Sequence, residues 1–370
     1  MNSSLGRPVF CFLAIMTIYA VYGYAKGHPV YLILQEYRYP LYFTGTYFAA
    51  LYLFNTRLKL QVYLKLTILS GAVAAMILVF KVFSGANAAI YAEVRPFDLP
   101  KNIIFDMVLV LLSFNFYTSS FVNRWISYFL VPIGLLALIV SFTRKLWIVA
   151  VLILVFFLFL YLYQAFKVRR GAFQRFLMVF SMAFSLFLTF GIVVFLLPNI
   201  FDLIVSRYVE SLTLHDMSIQ NRLVYIVEPL KYSKSLYFMG TGLGFDVLFF
   251  NPERLSFLLS RGITKSTYME NGYVYFILKT GIFGFIIFSW MMLRGIKTAF
   301  VIFRRTEDGF YRGTSLWLIS YLIIILVAGN FDQSFNNFMA APSIAVHLSL
   351  IEHLRQRLKV KAVRAHVCKD

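Results

Sequence analysis

Cysteine is nearly absent. Cys11 and Cys368, close to opposite ends of the chain, are the only two. That excludes a disulfide framework and gives no metal-binding spacing. Charge is scarce too, at 14% of residues, where a soluble domain has roughly a quarter. Acids are the rarest part of it: 16 Asp and Glu stand against 35 Lys and Arg, for a net charge of +19. No cleavage site of small residues follows the first apolar run, which is therefore read as a retained helix rather than a signal peptide. The GTGLG stretch (Gly240–Gly244) is not followed by Lys-Ser/Thr, which excludes a P-loop. It also lacks the strand–helix–strand context of a dinucleotide site.

Apolar residues fill the space left by charge. The chain is 60% hydrophobic and 19% aromatic, with mean hydropathy +0.76. Runs such as 149–163 and 176–198 approach or reach the roughly 20 residues that cross a bilayer. Irregular backbone cannot face lipid, so each span is expected to be a helix. The chain reads as an all-α polytopic integral membrane protein of about ten transmembrane helices. The spans are expected near 8–25, 39–55, 62–83, 102–121, 125–142, 146–166, 175–197, 272–293, 314–330 and 335–351. Few charges fall within them, and Lys81 and Lys279 are placed near span ends.

The short basic loops then fall on one side. They are Arg57, Lys59 and Lys65; Lys167, Arg169, Arg170 and Arg175; Arg294 through Arg312; and the tail from Arg355 to Lys369. Positive-inside reasoning makes that side cytoplasmic, with both termini there. The basic excess thus orients the chain in the bilayer, and no nucleic-acid partner is expected. The organisation predicted is seven helices over 1–198, a large periplasmic loop over 199–271, three helices over 272–354 and a basic cytoplasmic tail over 355–370. A loop that long is uncommon unless functional.

The outer side holds the residues that chemistry would use. In LALIVSFTRKLWIVAVLILVF (136–156), Arg144 and Lys145 interrupt two apolar runs at the outer end of the sixth span. The loop offers Asp216, Ser218 and Arg222, with His215 beside them. NRLVYIVEPLKY has the spacing of a helix lying on the membrane surface, kinked at Pro229. Gly240, Gly242 and Gly244 permit positive φ and close backbone approach to a ligand, or simply make a turn. Glu270 and Asn271 immediately precede a span containing Gly281 and Gly284. Each has a plain reading taken alone: cations at a span end snorkel, and an acid before a helix favours its dipole.

Their order carries more. SFTR, then D-x-S-x-x-x-R, then GTGLG, then Glu270-Asn271 before a glycine-containing span resembles the O-antigen polymerase and O-antigen ligase superfamily. These are bacterial membrane glycosyltransferases that use polyprenyl-diphosphate-linked glycans. The resemblance covers roughly residues 130–295. It departs at Glu270, where the family usually has His. It implies a GT-C-like helical enzyme of the bacterial inner membrane with a periplasmic active site and no cofactor. It also implies undecaprenyl-diphosphate-linked oligosaccharide as substrate, with a chain-length regulator and a flippase as partners. The implied catalytic residues are Arg144, Arg222 and Glu270. The implied substrate-binding residues are Gly240, Gly242, Gly244 and Asn271; on chemical grounds Lys145 joins them as a point charge, and His215 as a second choice of base. Arginine forks suit diphosphate oxygens and stand in for the metal used elsewhere. A carboxylate suits a general base. The favoured expectation is a polysaccharide polymerase. A ligase acting on lipid A core and a transporter or flippase stand as alternatives. No internal repeat of the kind many transporters carry is visible.

Overall fold

The computed structural model describes residues 4–83, 101–116, 121–140, 151–153, 155–160, 187, 191, 238–250, 263–266, 271–329 and 340–367. Eight helices and two strands are defined there: α1 (Gly6–Ala25), α2 (Val30–Leu53), α3 (Arg57–Phe83), α4 (Lys101–Phe116), α5 (Arg124–Val140), β1 (Val247–Phe250), β2 (Ile263–Ser266), α6 (Gly272–Arg305), α7 (Gly309–Ala328) and α8 (Ala340–Val367). Helices stand at the first five and last three expected spans, and residues 151–153 and 155–160 of the sixth are helical. The expected seventh span lies outside the described residues apart from two helical positions, 187 and 191. Among the described residues, four helices are long and apolar enough to cross a membrane: Gly6–Ala25, Arg57–Lys81, Gly272–Arg305 and Gly309–Ala328. The all-α expectation holds for them. The long loop adds a two-stranded antiparallel ribbon in which Val247 pairs with Ser266 and Phe250 with Ile263.

Three helix starts follow small polar residues, whose oxygens accept otherwise unpaired first amides. Thr56 Oγ1 accepts from Lys59 N (3.2 Å), Asn123 Oδ1 from Trp125 N (3.0 Å) and Asp308 Oδ1 from Phe310 N (2.8 Å). These caps begin α3, α5 and α7.

The chain forms two compact units. One comprises Met1–Phe54, Arg207–Thr298 and Ile325–Asp370; the other comprises Asn55–Ser206 and Ala299–Ile324. In the first, α2 packs against α1 and α8. Val9, Phe12, Met16 and Tyr19 recur at helical spacing along α1 and are buried. Phe12 meets Phe43 edge-on at 5.5 Å, and Phe276 stacks on Phe288 at 4.5 Å. The start of α1 is held by α8: Ser4 N, Ser4 Oγ and Leu5 N all donate to the Glu352 carboxylate, at 3.3, 3.0 and 3.3 Å. Arg355 Nη2 completes that cluster at 2.7 Å.

In the second unit, α3, α4 and α5 pack on one another. Leu58, Val62, Leu66, Leu69, Val73 and Phe80 give α3 an outward apolar stripe, the reverse of a soluble helix and suited to lipid. Gly71 and Gly134 both lie against Met107, as small residues do where membrane helices approach closely. The helix α4 is buried from Ile104 to Phe116, with Asp106 accepting from the Trp317 indole at 3.3 Å.

Candidate active site

The segment that shapes the site is a break in α6. At Gly281 the backbone leaves the helical region, with φ 61° and ψ −170°. A break inside an apolar helix strands carbonyls that lipid cannot satisfy; such backbone is tolerated only where protein covers it. Here the cover is GTGLG. Thr241 N donates to Leu278 O (2.7 Å) and Gly242 N to Lys279 O (3.0 Å). Thr241 Oγ1 adds a second bond to Leu278 O at 3.0 Å. Leu243 N reaches across to Tyr19 O of α1 at 3.1 Å, and Leu243 O meets His28 Nδ1 at 2.9 Å.

Glycine is required for this fit. Gly240, Gly242 and Gly244 have φ of 71°, 90° and 79°, the left-handed region that side chains disfavour. A Cβ on Gly240 would lie 2.5 Å from Gly281 N, and one on Gly242 would lie 2.7 Å from Gly23 Cα. The close approach expected from the spaced glycines exists, and it is made to the protein's own backbone. The amides of Gly242 and Gly244 are both engaged within the protein.

Beneath the loop is a buried ion pair. Lys279 Nζ lies 2.8 Å from Glu36 Oε1, with side-chain exposures of 0% and 4%. Glu36 Oε2 accepts from Gly244 N at 2.6 Å, and Lys279 Nζ donates to Phe245 O. Charges this deep are tolerated only when paired and hydrogen-bonded. Lys279 falls in the first turns of α6, towards the span end as expected, and it is buried there because Glu36 and the Phe245 carbonyl meet its charge. Lys81 falls in the last turn of α3.

Asn271 begins α6. Its Oδ1 accepts from Tyr273 N (2.9 Å) and Val274 N (3.0 Å), the geometry of an N-cap. Gly272 N donates to Gly329 O at 2.9 Å, tying this start to the end of α7. The helical stretch 272–280 is thus fixed at both ends, by its cap at Asn271 and by GTGLG on Leu278 and Lys279. Of the residues singled out in the sequence, the structure brings together Gly240, Gly242, Gly244 and the helix that Asn271 starts. Arg144, Lys145, His215, Arg222 and Glu270 lie outside the described residues. Glu36, Thr241 and Lys279 were not singled out for the site. One signal was present for Lys279: a base among apolar neighbours is expected to find an acid.

The matching family model is that of O-antigen ligase, over residues 129–289. Residues 129–289, under half of the chain, are similar to the O-antigen ligase family. The matched segment runs from within α5 to a point in α6 just past Gly284. It contains Arg144, Lys145, His215, Arg222, the three loop glycines, Glu270 and Asn271. It also contains Lys279, whereas Glu36 lies outside it. No match was found among curated proteins or among solved structures. The family match and the apolar helices together give a membrane protein of a ligase or glycosyltransferase type.

Proposed function

We propose that the protein is a polysaccharide polymerase of the O-antigen type. It transfers a growing glycan from undecaprenyl diphosphate to a lipid-linked repeat unit on the periplasmic side of the bacterial inner membrane. The observation that carries this reading is the O-antigen ligase match, which spans every candidate site residue.

The chemistry follows from the residue types. Arg144 and Arg222 bind the diphosphate of the donor through paired hydrogen bonds, and Lys145 adds a point charge. Glu270 takes the proton of the acceptor hydroxyl, contributing roughly 10²–10⁴-fold; His215 is the second choice for that role. The acceptor oxygen then bonds to the anomeric carbon. The carbon–oxygen bond to the diphosphate breaks, and polyprenyl diphosphate leaves with its charge held by the arginines. Direct displacement inverts the anomeric configuration, and the arginines serve where other glycosyltransferases use a metal. Gly240, Gly242 and Gly244 contribute by docking the loop against α6, and Asn271 by setting the helix that follows Glu270. A chain-length regulator and a flippase are the proposed protein partners.

The alternative is ligation of finished glycan to lipid A core, favoured by the description of the matching family as ligase. Deletion of the gene in its own host separates the two on a surface-glycan gel. The polymerase reading expects a single-repeat product, restored to a ladder by wild type but not by Glu270→Gln, Arg222→Ala or Arg144→Ala at equal membrane protein. Long glycan accumulating on the carrier lipid would establish the ligase instead. An unchanged ladder would overturn both.

A further inference from the structure

The buried pair has more to do than neutralise itself. Glu36 and Lys279 each spend one contact on the other and one on the loop: Glu36 Oε2 on Gly244 N, Lys279 Nζ on Phe245 O. The loop in turn holds Leu278 O and Lys279 O, the carbonyls at the end of the helical stretch that Asn271 begins. That stretch follows directly on Glu270 in the chain. The acid comes from α2, before the matched segment, and the base from within it.

We infer that Glu36 and Lys279 are a positioning pair for glycosyl transfer: together they lock GTGLG into the break of α6 and so fix the helical stretch begun by Asn271, the residue that follows Glu270 in the chain. The inference rests on the proposed function for what is positioned, and on the described contacts for how it is held. Both side chains are buried, with exposures of 0% and 4%. The polarity of the pair is what matters, because an amide must meet an acceptor at Gly244 and a carbonyl must meet a donor at Phe245. A pair of reversed sign balances charge equally well and sets a donor against Gly244 N and an acceptor against Phe245 O.

The reversed pair is therefore the deciding variant. Glu36→Gln, Lys279→Met and the double exchange Glu36→Lys/Lys279→Glu are compared in membranes of the deletion host. The initial rate of glycan transfer is measured per unit of membrane-inserted protein. Both single variants should lose on the order of 100-fold in rate, the scale of a misplaced reacting group. The exchange should recover protein level over the singles and leave the rate low. Loop docking is read separately on purified protein in detergent. Thr241→Cys, in a background of Cys11→Ser and Cys368→Ser, is labelled with a soluble maleimide. Thr241 is buried, so labelling should be slow with the native pair and fast with Lys279→Met or the exchange.

Near-wild-type rates in both singles would overturn the inference. So would an exchange that restores rate together with level, since the pair would then only balance charge. Slow labelling in every variant would overturn it as well. A wild-type protein with no glycan transfer defeats the proposed function instead. The labelling arm then still decides whether the pair holds the loop, and the inference stands or falls on it in that part.

Discussion

At the residue scale, two glycines of similar sequence surroundings should behave differently. A Cβ on Gly23 would stand 2.2 Å from Leu243 O, whereas a Cβ on Gly45 meets nothing within 4 Å. Both lie in helices, where Ala is the better helix former by roughly 0.5–1 kcal/mol. Gly45→Ala should thus keep or slightly raise the melting temperature in detergent, and Gly23→Ala should lower it by pushing the loop from α1. Gly281→Ala carries a second penalty, a positive φ of 61° beside a contact to Phe238 O, costing of order 1–3 kcal/mol for the backbone alone. Removing one charge of the buried pair should cost more, about 3–5 kcal/mol, because the partner stays buried and uncompensated. Thermal unfolding of Lys279→Met against Gly281→Ala tests that order. These sites also show what was legible in the sequence. The spacing of GTGLG announces close backbone approach, but nothing local names the surface approached, because Gly23, Ile33 and Leu278 are far away along the chain. The partner of Lys279 was not legible for the same reason: it comes from α2, more than 200 positions earlier in the sequence.

At the element scale, apolar run length located most helices, since lipid leaves no other regular structure for such a run. Ends were less legible. The helix α2 begins at Val30, ahead of the expected 39, because Glu36 and Arg38 interrupt the apolar pattern while the helix continues through them. Caps are the local part of that code. Asn271→Ala should cost about 1 kcal/mol of helix stability and lower transfer activity. Asn271→Asp keeps an acceptor oxygen and should recover stability; the melting temperatures of the two variants check this.

The junction of α1 and α8 should respond to acid. Burial pushes the Glu352 carboxyl up; hydrogen bonding and charge from Arg355, with Ser4 and Gln356, outweigh that and hold it below its ordinary value of 4.5. Burial, then Arg357, pushes His353 down to about 4 from 6.5, and its neutral Nε2 accepts from Arg357 Nε at 2.8 Å. Both folded values lie below the unfolded ones, so both contributions are present at neutral pH and lost as pH falls. The His353 part fades between 6.5 and about 4; the Glu352 part fades only below 4.5. Melting temperature against pH should decline in both windows, with His353→Gln flattening the first and Glu352→Gln the second.

At the scale of the whole molecule, unit contacts bear on chain direction. The last turns of α1 and the first turns of α2 and α6 meet around GTGLG. The start of α1 meets α8 at Glu352, past its apolar part. The helices α1 and α6 therefore run oppositely, which requires an even number of crossings between them; the six expected from hydropathy satisfy that. The same parity sends α8 in the direction of α6. Reporter fusions test it: a phosphatase joined within 245–262 should be active on the far side of the membrane, and a fluorescent protein on the C-terminus should mature on the near side. Opposite activities would reverse the orientation.

The docked break also makes the helical stretch 272–280 a protractor. Its far end is pinned to the loop by named carbonyls, so its length fixes the compass bearing of whatever stands at its start. Each residue added between Gly272 and Leu278 would swing Asn271 around the axis by about 100° and lift it by about 1.5 Å. A single inserted alanine there should silence glycan transfer while the protein still folds.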